Sequence, residues 1–311
     1  MNADPFHPGE HDAQRRAGVQ LRGAPILQEM SDQHRSFFAG LPLLFVGVPD
    51  GAGWPVATAL AGSPGFMSSP DARTLHVAAL PGEDDPASPW LRPGASAGLL
   101  GIDLDTRRRN RVNGTVIATS GQGFTLGVKQ SFGNCPQYIQ AREIAPRHGP
   151  GRAPVAERLA GLDPRARALI AAADTFFVAS CSGAGGSDAG GMDISHRGGR
   201  PGFVRVDGDV LTIPDFRGNR YFNTLGNFLL EPRAGLLFVD FEDGSLLQLQ
   251  GRAEVDWTGG APSGFAGAER VWRVRVTAGW RRADALALRW TFRGDAPTTA
   301  RTGTWNAPGA G

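Results

Sequence analysis

Cysteine is nearly absent from these 311 residues: only Cys135 and Cys181 occur, and they do not form a C-x-x-C pair. A disulfide scaffold needs more, so a reducing, cytoplasmic setting is expected. Lysine is rarer still, Lys129 being the only one, and the cations are almost all arginine. They are nearly balanced, 32 Lys+Arg against 30 Asp+Glu for a formal +2, which gives no reason to expect nucleic acid as a partner. Long apolar runs are missing too. The longest, Leu41 to Val48, is interrupted by Pro42 and falls short of the roughly 20 residues that span a bilayer, so no membrane partner is expected. Met1 to Pro8 lacks the cationic start and apolar core of a secretion signal.

Several catalytic signatures are absent or fail on context. No G-x-S-x-G elbow occurs, and the six histidines lack metal-ligand spacing. His7-Pro8-Gly9-Glu10-His11 fits H-x-x-E-H, but Pro-Gly inside it is expected to break the helix such a zinc site requires. Gly183-Ala184-Gly185-Gly186 resembles a dinucleotide fingerprint only superficially, because the strand pattern Met192 to Ser195 follows it; it reads as a hairpin loop.

What the chain does have is repetition. With 41% hydrophobic and 20% charged residues it is globular, and its length suits two cores. Gly62-Ser63-Pro64-Gly65-Phe66 recurs as Gly199-Arg200-Pro201-Gly202-Phe203, Ala97-Gly98-Leu99-Leu100 as Ala234-Gly235-Leu236-Leu237, and Gly114 as Gly251. The offset is constant, since 201−64, 234−97 and 251−114 all equal 137.

Helix-start signals precede each copy: Ser31-Asp32 ahead of 33–39, and Asp163-Pro164 ahead of 165–173. An apolar strand follows each, Leu43 to Val48 or Thr175 to Cys181. Short alternating runs come next, at 202–206, 210–213, 236–241 and 246–255, broken by Asp-Gly turns at 207–208 and 243–244. The fold class is therefore mainly β with a few helices (α+β), as two tandem barrels. The expected boundaries are an N-terminal arm (1–25), a first barrel (26–140), a linker (141–162), a second barrel (163–295, with 271–292 adding strands) and a flexible tail (296–311).

The polar residues between the apolar strands of the second copy point to an anion. Arg197, Arg217, Asn219, Arg220 and Asn223 supply guanidinium forks and amides for a phosphate, and Gly218 lets backbone approach; a solvated loop rimmed by arginine is the bland alternative. The matching stretch of the first copy, Pro81 to Pro86, carries Glu83, Asp84 and Asp85, which repel a phosphate, so one anion site per chain is expected. Arg107, Arg109, Arg111 and Asn113 share one face of a strand. They can reach a cofactor held by the second copy, or they guard an exposed edge. RNA is a third reading, but the run lacks aromatics for base stacking. Cys135 reads as core filler, with a reactive thiol as the alternative.

Arg197-Gly198, Ile213 to Arg220, Pro232 to Phe238 and Gly251-Arg252-Ala253, with Phe132-Gly133-Asn134-Cys135-Pro136, resemble the pyridoxamine 5′-phosphate oxidase-like flavin-nucleotide-binding family, in particular its two-copy bacterial relatives, over about residues 30 to 295. Gln137 stands where relatives often have lysine. The resemblance implies split β-barrels of FMN-binding type in a pseudo-dimer, with FMN between them and no metal. Ser195 and His196 would touch the flavin ring or ribityl chain; Arg197, Arg217, Asn219, Arg220 and Asn223 would take the phosphate, with Arg109 and Arg111 facing them. Trp280 to Trp290 does not reproduce the tryptophan and Arg-Leu-His segment of true oxidases, so vitamin B6 synthesis is not expected. The expected function is an FMN-dependent oxidoreductase acting on a small-molecule substrate, with a nicotinamide cofactor or reductase as electron donor. A flavin carrier or sensor, a haem or deazaflavin binder, and a homodimer stay open as alternatives.

Overall fold

The computed structural model describes residues 4–21, 23–145, 155–183, 190–260 and 265–305. Most of the glycine loop 183–186, the middle of the expected linker and the end of the tail lie outside the described residues.

The chain opens with α1 (Pro8–Arg16) and α2 (Asp32–Gly40), then β1 (Leu43–Pro49), β2 (Pro55–Ala61), β3 (Met67–Ser68), β4 (Thr74–Val77), β5 (Ser96–Asp103), β6 (Arg108–Ser120) and β7 (Gly123–Asn134). β8 (Ala141–Ala145) and β9 (Ala156–Leu159) lead to α3 (Pro164–Ala172), β10 (Thr175–Cys181), β11 (Met192–Gly198), β12 (Arg205–Asp207) and β13 (Val210–Phe216). α4 (Asn223–Leu230) precedes β14 (Arg233–Val239), β15 (Leu246–Asp256), β16 (Ala268–Arg282) and β17 (Arg289–Gly294). The molecule is thus mostly β, with four α-helices among the described residues, and the strand pairs are antiparallel.

Two large sheets have the same strand order. The first runs β2-β1-β5-β6-β7-β4-β3 and the second β11-β10-β14-β15-β16-β13-β12, with β9 added beside β16. The repeated anchors also share local geometry. Gly65 and Gly202 both have positive φ, 95° and 86°. Gly114 and Gly251 both sit where the register slips, between Asn113 and Gly114 in one sheet and between Gln250 and Gly251 in the other.

The apolar strands are apolar throughout because both of their faces are buried. In β1, Leu44, Val46 and Val48 join the core of the first sheet, while Leu43 and Phe45 turn into a core between the sheets. β10 does the same, Phe176 and Val178 inward and Phe177 and Ala179 toward the partner sheet. Phe45 stacks on Phe177, with centroids 3.5 Å apart and planes at 17°. Equivalent glycines let the sheets approach reciprocally: a Cβ on Gly98 would lie 2.8 Å from the Asp193 backbone, and one on Gly235 2.5 Å from the Pro55 carbonyl oxygen.

Four segments differ from expectation. The N-terminal arm carries α1, because Pro8 occupies the first turn, where a missing N–H costs nothing, and His7 and Glu10 form a capping box. The linker supplies β8, paired with β17, and β9, paired with β16. β16 extends the second sheet, whereas β17 leaves it for the β8 ribbon. The tail is docked through Thr299 and Thr302, both buried, and the Trp305 indole N–H donates to the Phe203 carbonyl oxygen at 2.8 Å. No helix among the described residues is long and apolar enough to cross a membrane.

Candidate functional site

β11 is an edge strand of the second sheet and lies against β5 and β6 of the first. Its polar residues therefore meet arginines from the other half. β13, tied to β11 through the Arg197–Asp215 ion pair, ends in Pro214-Asp215-Phe216, and the segment to α4 turns sharply, with Arg220 and Phe222 both left-handed (φ 63° and 62°). Such strain in non-glycine residues concentrates where a segment is held for a purpose. It leaves α4 starting at Phe222, whose side chain caps nothing. Phe222, Asn223, Thr224 and Leu225, at the start of α4, line the cleft between the halves, and no side chain caps that first turn, an arrangement suited to an anion.

The cleft has about 830 Å³ of empty space, open solvent at its mouth included. Of the residues the sequence singles out, Ser195, His196, Arg197, Asn219, Arg220, Asn223, Arg109 and Arg111 all line it. Arg217 does not: it is exposed, and only its backbone takes part, accepting from the Tyr138 hydroxyl at 3.1 Å. Arg107 also departs, from a left-handed turn before β6, and donates to the Ile139 and Asp295 carbonyls. β6 pairs on both sides, so the edge-strand reading of its arginines falls.

Charges in the cleft are mostly matched. Arg111 Nη1 lies 3.2 Å from both Asp193 carboxylate oxygens and 3.1 Å from Asn223 Oδ1. Arg197 donates to Asp215 at 2.9 Å, and Arg270 bonds the other Asp215 oxygen. Arg220 reaches Glu269 at 3.4 Å. Ser195 Oγ bridges Asp193 and Thr224 at 3.1 and 2.7 Å. Arg109 Nη1 meets His196 Nδ1 at 2.7 Å. Burial, then the neighbouring Arg109, Arg142, Arg197 and Arg111, hold His196 well below the usual histidine range, so its ring is neutral. Burial lowers Arg109 to about 9, which still leaves it charged at neutral pH.

Pairing is incomplete on the cleft side. Sixteen buried side-chain polar atoms lack a partner among the described residues, and six belong to cleft residues: Nε of Arg109, Arg111, Arg197 and Arg220, Nε2 of His196 and Oδ1 of Asn134. Buried polar atoms are normally satisfied, so such a concentration singles the cleft out as the candidate site. Apolar surface is at hand as well, from Phe203, Pro214, Phe216, Phe222 and Leu225.

The positions related by the 137-residue offset are occupied differently. Thr58 stands for Ser195 and Gln248 for Arg111, and there Asp85 fills the space, bonded by Thr58 Oγ1, Gln248 Nε2 (3.0 Å) and Arg282 (2.6 Å). Of the three carboxylates expected there, Glu83 and Asp84 point to solvent and Asp85 is inside.

Sequence reasoning missed three contributors. Cys135 lines the cleft, half-buried, rather than filling a core. Tyr138, left-handed at φ 63°, stacks on Phe216 at 5.1 Å. Glu10 comes from α1: it accepts from Asn223 Nδ2 and from the His7 amide at 2.9 Å, and burial pushes it up to about 8. The S/T-x-x-E capping signature could not flag it, because histidine holds the cap position.

No protein-family model matches the chain, and no curated protein matches it. Among solved structures it is similar to a candidate pyridoxamine 5′-phosphate oxidase of Lactobacillus delbrueckii, at 17% identity over 34% of this chain and 95% of that one, TM-score 0.27. HupZ of Group A Streptococcus aligns at 17% identity over 39% of this chain and 98% of its own, TM-score 0.30. A FAD-binding protein of Mesorhizobium loti aligns at 11% identity over 41% and 97%, TM-score 0.27. Likeness this distant leaves the ligand to be argued from the cleft itself.

Proposed function

We propose that the chain is a duplicated split barrel that binds one FMN in this cleft and serves as a flavin-dependent oxidoreductase on a small molecule. The observation that carries the reading is the cluster of unpartnered buried donors beside the uncapped start of α4. A phosphate at the start of α4, with Arg197, Arg220 and Asn219 around it, would satisfy donors that no described residue satisfies. The aromatic and proline surfaces suit a flat ring, with Ser195 and His196 beside it. Bound flavin would supply the electron transfer; the chain's residues bind it, orient it and exclude water. Electrons would come from a nicotinamide cofactor or a reductase. The offset site takes no second FMN, because Asp85 already occupies it.

Titrating the purified protein with FMN, followed by flavin absorbance, tests this. Arg220→Ala is expected to weaken binding at least about tenfold, as for a lost charge-assisted bond, whereas Arg217→Ala changes it less than about threefold. Equal effects of the two changes, or no binding by the unaltered protein, would overturn the assignment.

A further inference from the structure

Arg111, Arg197, Arg220 and Arg270 each face a carboxylate. Arg109 does not. Among the described residues its one hydrogen-bond partner is the neutral ring of His196, and its Nε has none. A guanidinium only donates, so His196 Nδ1 must accept, which places the ring proton on Nε2. That Nε2–H belongs to a residue only 5% exposed, in the wall of the cleft, and has no acceptor. A buried cation and an N–H donor therefore stand together without a carboxylate among the described residues, and an uncompensated buried charge is costly.

This pair is built differently from the phosphate end. It joins Arg109 of β6, from the first half, to His196 of β11, whereas the phosphate donors all belong to the second half, on β11 and in the segment ending in α4. Its net charge is one, which suits a monoanion better than a phosphate dianion. The 137-residue mate of Arg109 is Leu246, buried between the sheets, so the feature belongs to this cleft alone.

We infer that Arg109 and His196 form a second anion subsite that holds the carboxylate of the substrate beside the cofactor. The inference rests on the flavin reading for the substrate's role, while the subsite's affinity for a carboxylate can be measured without flavin.

The probe is benzoate, with the uncharged, similarly shaped benzamide as its control. FMN-loaded protein is titrated by flavin absorbance, and FMN-free protein by calorimetry. Benzoate is expected to bind and to perturb the flavin spectrum, and benzamide to do neither. Arg109→Gln should weaken benzoate at least about tenfold while changing FMN affinity less than about threefold, and Arg109→Lys should recover most of the loss. Benzoate that fails to bind, or that ignores Arg109→Gln, overturns the subsite. An FMN loss of about tenfold or more in Arg109→Gln overturns it too, by giving Arg109 to the cofactor. Failure of the unaltered protein to take FMN sinks the flavin reading instead, and calorimetry on the same protein still decides whether the carboxylate binds through Arg109.

Discussion

At Asp85 a single carboxylate answers Thr58, Gln248, Arg282 and the Ala87 amide, with essentially no exposure of its own or of Arg282. Removing one partner of a buried pair strands the other, a larger loss than the pair's net worth. Asp85→Ala is therefore expected to lower folding stability by about 3–5 kcal/mol, measured by denaturant unfolding, and added sulfate should restore part of the loss by standing in for the carboxylate. FMN affinity of the folded variant should stay unchanged, because the working cleft is elsewhere. Stability unaffected by the change would mean that Asp85 does not fill the mate site. The same residues show what a sequence can disclose: three carboxylates opposite an arginine-rich stretch were readable as an asymmetry between copies. Which carboxylate turns inward was not, since that depends on Arg282 arriving from a strand almost two hundred residues away. Arg217 and Arg220 make the same point. Three positions apart in one loop, they differ only because the chain turns left-handed at Arg220, a choice that no residue type there announces.

The element whose behaviour follows most directly from its burial is α1. It packs on α4 where Gly9 faces Gly226: a Cβ on Gly226 would lie 2.7 Å from the Glu10 backbone. A carboxylate in the first turn normally gains from the helix dipole. Here burial wins over that gain and over the bonds from His7 and Asn223, with Asp193 adding repulsion and Arg111 opposing it, and Glu10 is pushed up to about 8 from 4.5. A carboxyl group raised on folding gives stability that is complete below its unfolded value and lost as pH rises through its folded one. The docking of α1 should accordingly loosen between about pH 4.5 and pH 8, read by hydrogen exchange of residues 8–16, with Glu10→Gln flattening the profile. Equal protection at both ends of that range in the unaltered protein would refute it. α1 and α4 are also the helices that sequence patterning did not reveal. α2 and α3 start with Ser31 and Asp163, side chains that cap the helix by accepting from His34 and Ala166 amides. α1 starts from a histidine cap followed by Pro-Gly, and α4 from a left-handed phenylalanine, so neither carries the usual start signal. The strands were far more legible, because β1 and β10 are apolar on both faces and the hairpins close on Asp-Gly.

For the molecule as a whole, the cleft exists only while the two halves hold their relative position. Arg109 and Arg111 come from β6, while Ser195, His196 and the start of α4 belong to the second sheet. Their spacing is set by the core between the sheets, where Phe45 meets Phe177 and where Gly98 and Gly235 admit the opposing backbones. A side chain at Gly235 cannot be absorbed locally, since the obstacle is the Pro55 carbonyl, fixed in the β1–β2 ladder. Gly235→Val should therefore cost about 2 kcal/mol or more, as overpacking does, and should also weaken ligand binding by shifting Arg109 of one half relative to His196 of the other. Leu75→Ala supplies the contrast. Leu75 is fully buried in the first sheet's own core, so its truncation is expected to cost a comparable 2–5 kcal/mol or so while leaving the contact between halves in place. Measured at a temperature where both variants are folded, benzoate affinity should fall at least about tenfold in Gly235→Val and by less than about threefold in Leu75→Ala. Were the two variants to bind benzoate alike, the packing between halves would be irrelevant to the cleft, and Arg109 would have to be placed by its local strand alone.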